Sequence, residues 1–278
     1  MRLGLCLSSL LLPSCLVLFS GDALARPSTE SVAQSSGQPS GRTAGVPAAA
    51  PPADPAAGLQ LDPAGFRAVI GQPPAPASQA ERDDLAILRW NQRTRTAEGV
   101  LLSWHFLNRN LSVFDAAIGT NLQDASPTLY QGLPAFLSRA DTLKNQLKNA
   151  VARPRPFLSH RDLRPCLPLE SGWSFPSGHA TWFATAALLL ADVVPERRER
   201  LLLVGSQGGH VRAYCGVHYP SDVLASQRLA KAISQQVIAS PQWQVFRQQV
   251  AQDRQRLLVA PPAGLPVLTY ASTDSEGL

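Results

Sequence analysis

Between His179 and Val194 the chain runs HATWFATAALLLADVV, nearly all apolar until Pro195 stops it. An α-helix that is apolar all round cannot lie on a surface and has to be surrounded by other elements. The run is shorter than the roughly 20 residues that a membrane span needs, and Asp192 stands near its end. It therefore reads as the buried central helix of a bundle.

The flanking segments read as helices too. Ser78-Gln79-Ala80-Glu81 has the form of a capping box, ahead of Leu85, Ile87, Leu88 and Trp90, with acids early and arginines late. Pro134 to Val151 is a second periodic stretch, with Pro134 suited to a first helical turn. Glu196 to about Val211 and Asp222 to Ile238 are further helices, the latter capped by Ser221, and Pro241 opens one more over Gln242 to Leu258. No segment alternates with period two. The expected fold is all-α, a single helical-bundle domain.

The ends differ in character. Arg2, the apolar Leu3 to Phe19 and the small-x-small Ala23-Leu24-Ala25 read as a secretory signal peptide over residues 1–25. Cleavage after Ala25 predicts a periplasmic or secreted mature chain without a transmembrane segment. From Pro27 to Gly58 there is no aromatic residue, Leu or Ile, so 26–58 reads as a disordered Pro/Ala/Ser-rich tether. The folded domain is expected over 59–258 and a loose tail over 259–278. Removing the signal also removes Cys6 and Cys15, leaving Cys166 and Cys215, which in an oxidising compartment read as one disulfide. Neither cysteine has zinc-ligand spacing. No metal and no cofactor are expected.

A net charge of +5 suits a phosphorylated substrate, a membrane surface or nucleic acid alike. No basic run is interleaved with aromatics, which argues against nucleic acid.

Three clusters carry the chemistry: Lys148, six residues, then Arg155-Pro156; Pro176-Ser177-Gly178-His179 at the start of the apolar helix; and Arg212, five residues, His218, three residues, Asp222. Singly, each has a plain explanation: surface charges, a core histidine, an Arg–Asp pair. Jointly they make a phosphate site. A transferring phosphoryl group spreads negative charge over three oxygens and needs fixed cations, which Lys148, Arg155 and Arg212 supply. Ser177 and Gly178 stand at a helix N-terminus, where unpaired N–H groups and the positive dipole end favour an anion. Asp222, four residues after His218, can hold its Nδ1–H and leave Nε2 free to attack phosphorus. His179 then serves as the acid for the leaving alkoxide.

The pattern K-x6-RP, PSGH, R-x5-H-x3-D resembles the signature of the phosphatidic acid phosphatase type 2 superfamily. More narrowly, the chain is similar to the bacterial class A non-specific acid phosphatases. That likeness extends to Gln72-Pro73-Pro74-Ala75, Asp84, Cys215-Gly216 and Ser221-Asp222-Val223. The resemblance implies a metal-independent enzyme acting on small soluble phosphomonoesters through a phosphohistidine on His218. Val211 stands where that family usually has Ser, and His210 beside it is unusual. His210 reads as a surface residue, His105 and His160 as structural. The rival readings are a lipid phosphate phosphatase, a vanadate-dependent haloperoxidase using the same anion site, and a catalytically silent phosphate-binding protein. The subunit number stays open, a homo-oligomer included.

Overall fold

The computed structural model describes residues 53–259. The expected signal peptide, most of the expected tether and nearly all of the expected tail lie outside the described residues. Within them every regular element is a helix and none is a strand. Short helices come first: α1 (Pro63–Ile70), α2 (Gln79–Thr94), α3 (Ala97–His105), α4 (Asp115–Ile118) and α5 (Leu122–Ala125). The long α6 (Pro127–Val151) is followed by a single turn, α7 (Pro156–Ser159), and then by α8 (Gly178–Val193). The chain finishes with α9 (Arg198–Tyr214), α10 (Pro220–Ala239), α11 (Pro241–Val250) and α12 (Arg254–Leu257).

Local chemistry sets most of the boundaries. Ser78, Ser126, Ser177 and Ser240 each turn a side-chain oxygen back onto an N–H of the following first turn. Proline then occupies the first helical position of α1, α6, α10 and α11, where the missing N–H costs nothing. Two starts differ from expectation. Helix α6 begins at Pro127, two turns ahead of Pro134, because Ser126-Pro127 is the better start; Pro134 lies inside the helix. Helix α10 begins at Pro220, and its first turn is closed by the Asp222 carboxylate accepting from Tyr219 N–H at 2.9 Å. Ser221 is not the cap, since its hydroxyl donates to Asp84. The last expected helix is interrupted by a 3₁₀ turn over Ala251–Asp253.

Helix α8 is central, as its apolar surface requires. Phe183, Ala186, Ala187, Leu189 and Leu190 are fully buried, with α6, α9 and α10 packed around them. The approach of α9 depends on glycine. A Cβ on Gly205 would stand 2.4 Å from the Ala187 methyl, and one on Gly208 2.3 Å from the Phe183 ring. Packing also starts earlier than the expected boundary at Leu59: Ala56 is fully buried, and the Asp54 carboxylate accepts from Arg139 at 2.6 Å. No described helix is long and apolar enough to cross a membrane. Cys166 and Cys215 form a disulfide that ties the loop before α8 to the end of α9.

Gly208→Val is expected to destabilise the fold by at least the upper part of the roughly 1–3 kcal/mol typical of overpacking. Urea denaturation reads this directly, and an unchanged midpoint would contradict the close α8–α9 contact.

Candidate active site

The chemistry-bearing residues of the sequence sit at helix ends. Lys148 is in the last turn of α6, Arg155 immediately before α7, His179 in the first turn of α8 and Arg212 in the last turn of α9. His218 lies in the short connection to α10, and Asp222 in that helix's first turn. Lys148, Arg155, Gly178 and His179 line one cleft of about 430 Å³.

His218 is wholly buried, and its hydrogen bonds define its tautomer. Nδ1 lies 3.3 Å from Asp222 Oδ2, while Arg155 Nη1 points at Nε2 from 3.2 Å. A guanidinium can only donate, so Nε2 carries the lone pair and the ring proton is on Nδ1, facing the carboxylate. Burial, followed by the charges of Arg155, Lys148 and Arg212, holds the ring well below the usual histidine range, so it is neutral. Asp222 is held from several sides. Oδ1 accepts from Arg153 at 2.7 Å, and Oδ2 from Tyr219 N–H at 2.9 Å and the Ser174 hydroxyl at 2.5 Å. Burial pushes this carboxyl up, against the pull of Arg153 and the other donors.

His179 is held differently. Its Nε2 donates to the Leu107 carbonyl at 2.9 Å, which leaves Nδ1 turned toward the cleft. Burial and the Arg212 charge lower this ring to about 4.

The cations are mostly buried. Arg155 donates to the Gly172 and Val217 carbonyls at 2.7 and 2.9 Å, and Lys148 to the Trp173 carbonyl at 2.5 Å. Burial, followed by the Arg155 and Lys144 charges, brings Lys148 down to about 7. Arg212 is completely buried, and its Nε and Nη1 have no hydrogen-bond partner among the described residues. Buried guanidinium donors of this kind, free of other partners, are suited to an anion.

One anion is already supplied by the chain. Glu170, in the loop before α8, accepts from Arg155 at 2.6 Å and from Arg212, and lies 3.8 Å from His179 Nδ1. Burial would raise its carboxyl, but Arg212 and Arg155 outweigh this and hold it at about 2. The carboxylate therefore sits on both arginines that a phosphate would require.

Some expected residues act otherwise than by touching an anion. The Ser177 hydroxyl is engaged as the cap of α8, accepting from Ala180 N–H at 3.4 Å, and its own N–H points at the Asp222 carbonyl at 3.5 Å. The first-turn N–H groups without a helical partner are those of Gly178 and His179. A Cβ on Gly178 would meet the Lys144 ammonium at 3.3 Å. Val211 packs into the hydrophobic core, and His210 is exposed.

The sequence reading missed Glu170, Ser174, Arg153 and Lys144. Lys144 precedes Lys148 by one helical turn, a spacing that could have drawn notice. Arg153 lies between the two cations of the first cluster, and Glu170 is a lone acid in an irregular loop with no periodic signal.

Residues 132–245 match the family model of the PAP2 superfamily. A non-specific acid phosphatase of Providencia stuartii is 27% identical over 139 residues, 48% of this chain and 56% of that protein. A non-specific acid phosphatase of Salmonella typhimurium is 37% identical over 84 residues, 29% of this chain and 34% of that protein. A decaprenylphosphoryl-5-phosphoribose phosphatase of Mycolicibacterium smegmatis is 38% identical over 111 residues, 39% of this chain and 58% of that protein. The chain thus spans between a third and somewhat over half the length of these curated relatives.

Because Glu170 occupies the two arginines, Glu170→Gln is expected to tighten the binding of inorganic phosphate. Calorimetric titration at pH 5 measures this, and weaker binding in the variant would show that carboxylate and phosphate do not compete.

Proposed function

We propose, from the match of residues 132–245 to the PAP2 superfamily model, that this chain is a phosphomonoesterase working through a phosphohistidine on His218. The observation that carries the reading is the neutral His218, its Nε2 lone pair set against Arg155. The substrate phosphate takes the place of the Glu170 carboxylate on Arg155 and Arg212, with Lys148 as a third cation. His218 Nε2 forms the N–P bond as the ester P–O bond breaks, and the departing oxygen takes a proton from His179 Nδ1. Water then attacks phosphorus as the N–P bond breaks, giving its proton to His179 and releasing inorganic phosphate. Charge neutralisation comes from the chain's own cations, so the proposed chemistry uses no metal.

Small soluble monoesters fit the acid phosphatases among the similar proteins. The likeness to a decaprenylphosphoryl-5-phosphoribose phosphatase favours a second reading, a phosphorylated lipid. A phosphate-release screen over nucleotides, sugar phosphates and phospholipids separates them. The segment 1–25 supports export, and N-terminal sequencing of the exported protein tests it.

The two histidines should fail differently. His218→Ala removes the nucleophile, so no acid-labile phosphoenzyme forms with any substrate. His179→Ala removes the acid, commonly worth about 10²–10⁴-fold, and its loss should shrink for aryl phosphates, whose leaving groups need little protonation. Rapid-quench labelling reads both effects. Turnover by His218→Ala, or a label on serine or aspartate, sinks the mechanism.

The pH dependence follows from the same groups. The acid must be protonated, and His179 stands at about 4, so kcat/KM, corrected for the fraction of substrate present as the dianion, is expected to fall as pH rises above that value. A bound phosphate dianion beside His179 raises it, so kcat should begin to fall only at higher pH. Coincident limbs in the two profiles would contradict this assignment.

A further inference from the structure

Helix α3 is built inside out. Its sequence, AEGVLLSWH, turns Gly99 and Ser103 toward the fold and its largest apolar side chains away from it. Gly99 lies so close to Tyr214 that a Cβ there would stand 2.3 Å from the phenol oxygen. Ser103 is fully buried, its hydroxyl donating to the Gly99 carbonyl at 2.7 Å. Leu101, by contrast, is 70% exposed and Trp104 48%, with Leu102 exposed beside them. Helix α2 is joined to α3 through Arg95 and Thr96 alone, and it adds Trp90, 60% exposed, and Ile87, one turn earlier. Single exposed apolar residues are ordinary, but two tryptophans and three aliphatic side chains on consecutive helices are not scattered singly.

These side chains are presented on a fixed scaffold. The Tyr214 hydroxyl accepts from Thr96 N–H at 2.8 Å, which anchors the start of α3. Trp104 donates through Nε1 to the Cys166 carbonyl at 3.1 Å, and Cys166 is tied to Cys215 by the disulfide. With its N–H already satisfied, the Trp104 ring can enter an apolar medium without burying an unpaired donor.

Charge indicates what covers this surface. The loop from Arg161 to Cys166 runs beside both helices: Gln92 donates to the Asp162 carbonyl at 3.1 Å, and Arg95 to the Arg164 carbonyl at 2.7 Å. Arg89, Arg93, Arg95, Arg161 and Arg164 therefore border the exposed apolar residues, against two acids, Glu98 and Asp162. Asp162 is already paired with Arg89 at 2.7 Å. A second copy of the chain, packed on this surface about a two-fold axis, would bring the arginines against their own counterparts. Lipid phosphates oppose them with the complementary sign. Tryptophan rings suit the headgroup level, and arginine stems can lie along apolar surface while their charged ends reach phosphate.

We propose that the exposed faces of α2 and α3 dock on the surface of an anionic phospholipid membrane, on which the protein lies without spanning it. Docking of this kind is independent of which phosphate ester is hydrolysed, and of whether any is.

The test is cosedimentation of the full chain with vesicles. Mixed phosphatidylglycerol and phosphatidylethanolamine vesicles should carry the protein down, and phosphatidylcholine vesicles should carry down far less. Leu101→Glu alters a side chain that supports nothing in the fold, so the thermal midpoint should hold while vesicle affinity falls at least about tenfold. Arg93→Glu should lower it at least about fivefold, through charge alone. Neither variant should change the rate of phosphate release from a soluble monoester. Because both leave residues 1–25 intact, they separate docking by this surface from any binding by that apolar segment. Equal binding of wild type and Leu101→Glu overturns the proposal, as does equal binding to the two kinds of vesicle, or none to the anionic ones. Sedimentation velocity reads the rival outcome: a dimer in vesicle-free buffer that Leu101→Glu dissociates would assign the surface to a second copy, and overturn membrane docking.

Discussion

The fold gathers positive charge where water cannot reach it. Arg155 and Arg212 are almost wholly buried, and Lys148 lies beside them. Taking such groups out of water is costly unless each is paired or hydrogen-bonded. The chain offsets the cost in three ways. Backbone carbonyls of Gly172, Trp173 and Val217 accept from Arg155 and Lys148. The Glu170 carboxylate bridges the two arginines. The remainder is left unmet: two donors of Arg212 have no partner among the described residues, and Lys148 is brought down to about 7. A site with unsatisfied donors is one that an arriving anion stabilises, and the helix ends around it are arranged to keep it in that condition.

Behind the nucleophile candidate lies a second charged layer. Arg153 reaches Asp222 at 2.7 Å and Asp84 at 3.4 Å, with its guanidinium 3.6 Å over the Tyr219 ring. Asp84 in turn accepts from Ser221 N–H at 2.9 Å, which pins the start of α10. The same first turn thus carries a structural role and a chemical one. Asp222 caps the helix through Tyr219 N–H and orients His218 through Nδ1. A carboxylate used as a helix cap has its position set by the backbone, which is a firm way to aim the histidine that depends on it.

The elements with local signals were legible in the sequence. The apolar run of α8, the Ser78 cap and the Pro241 start all rest on contacts within one or two turns, and each appears in the fold. The linear spacing likewise placed Lys148, Arg155, His179, Arg212, His218 and Asp222 in one site, because each motif is tied to a helix end. What was hidden depends on tertiary contacts. In the sequence Pro134 reads as suited to a first helical turn, because nothing nearby says that Ser126-Pro127 competes for that role. Glu170 carries no pattern at all, and its importance arises only when α9 brings Arg212 beside it. The Arg153–Asp84 pair joins residues 69 positions apart.

The position of Glu170 also bears on how such a site tells one anion from another. Its carboxylate presents two oxygens to two guanidiniums, each making one bond. On the proposed reading, a phosphate dianion would bring a third oxygen, and with it a partner for Lys148 and for the unpartnered donors of Arg212. A monoanion gains little by displacing Glu170, since it exchanges like for like and loses its own hydration. The internal carboxylate therefore sets a threshold that charge and oxygen count must exceed. As pH falls toward 2 that threshold weakens, because Glu170 takes up a proton and releases the arginines. Above that pH the carboxylate stays ionised and the threshold stays in force, so on the proposed reading the site would favour the dianion.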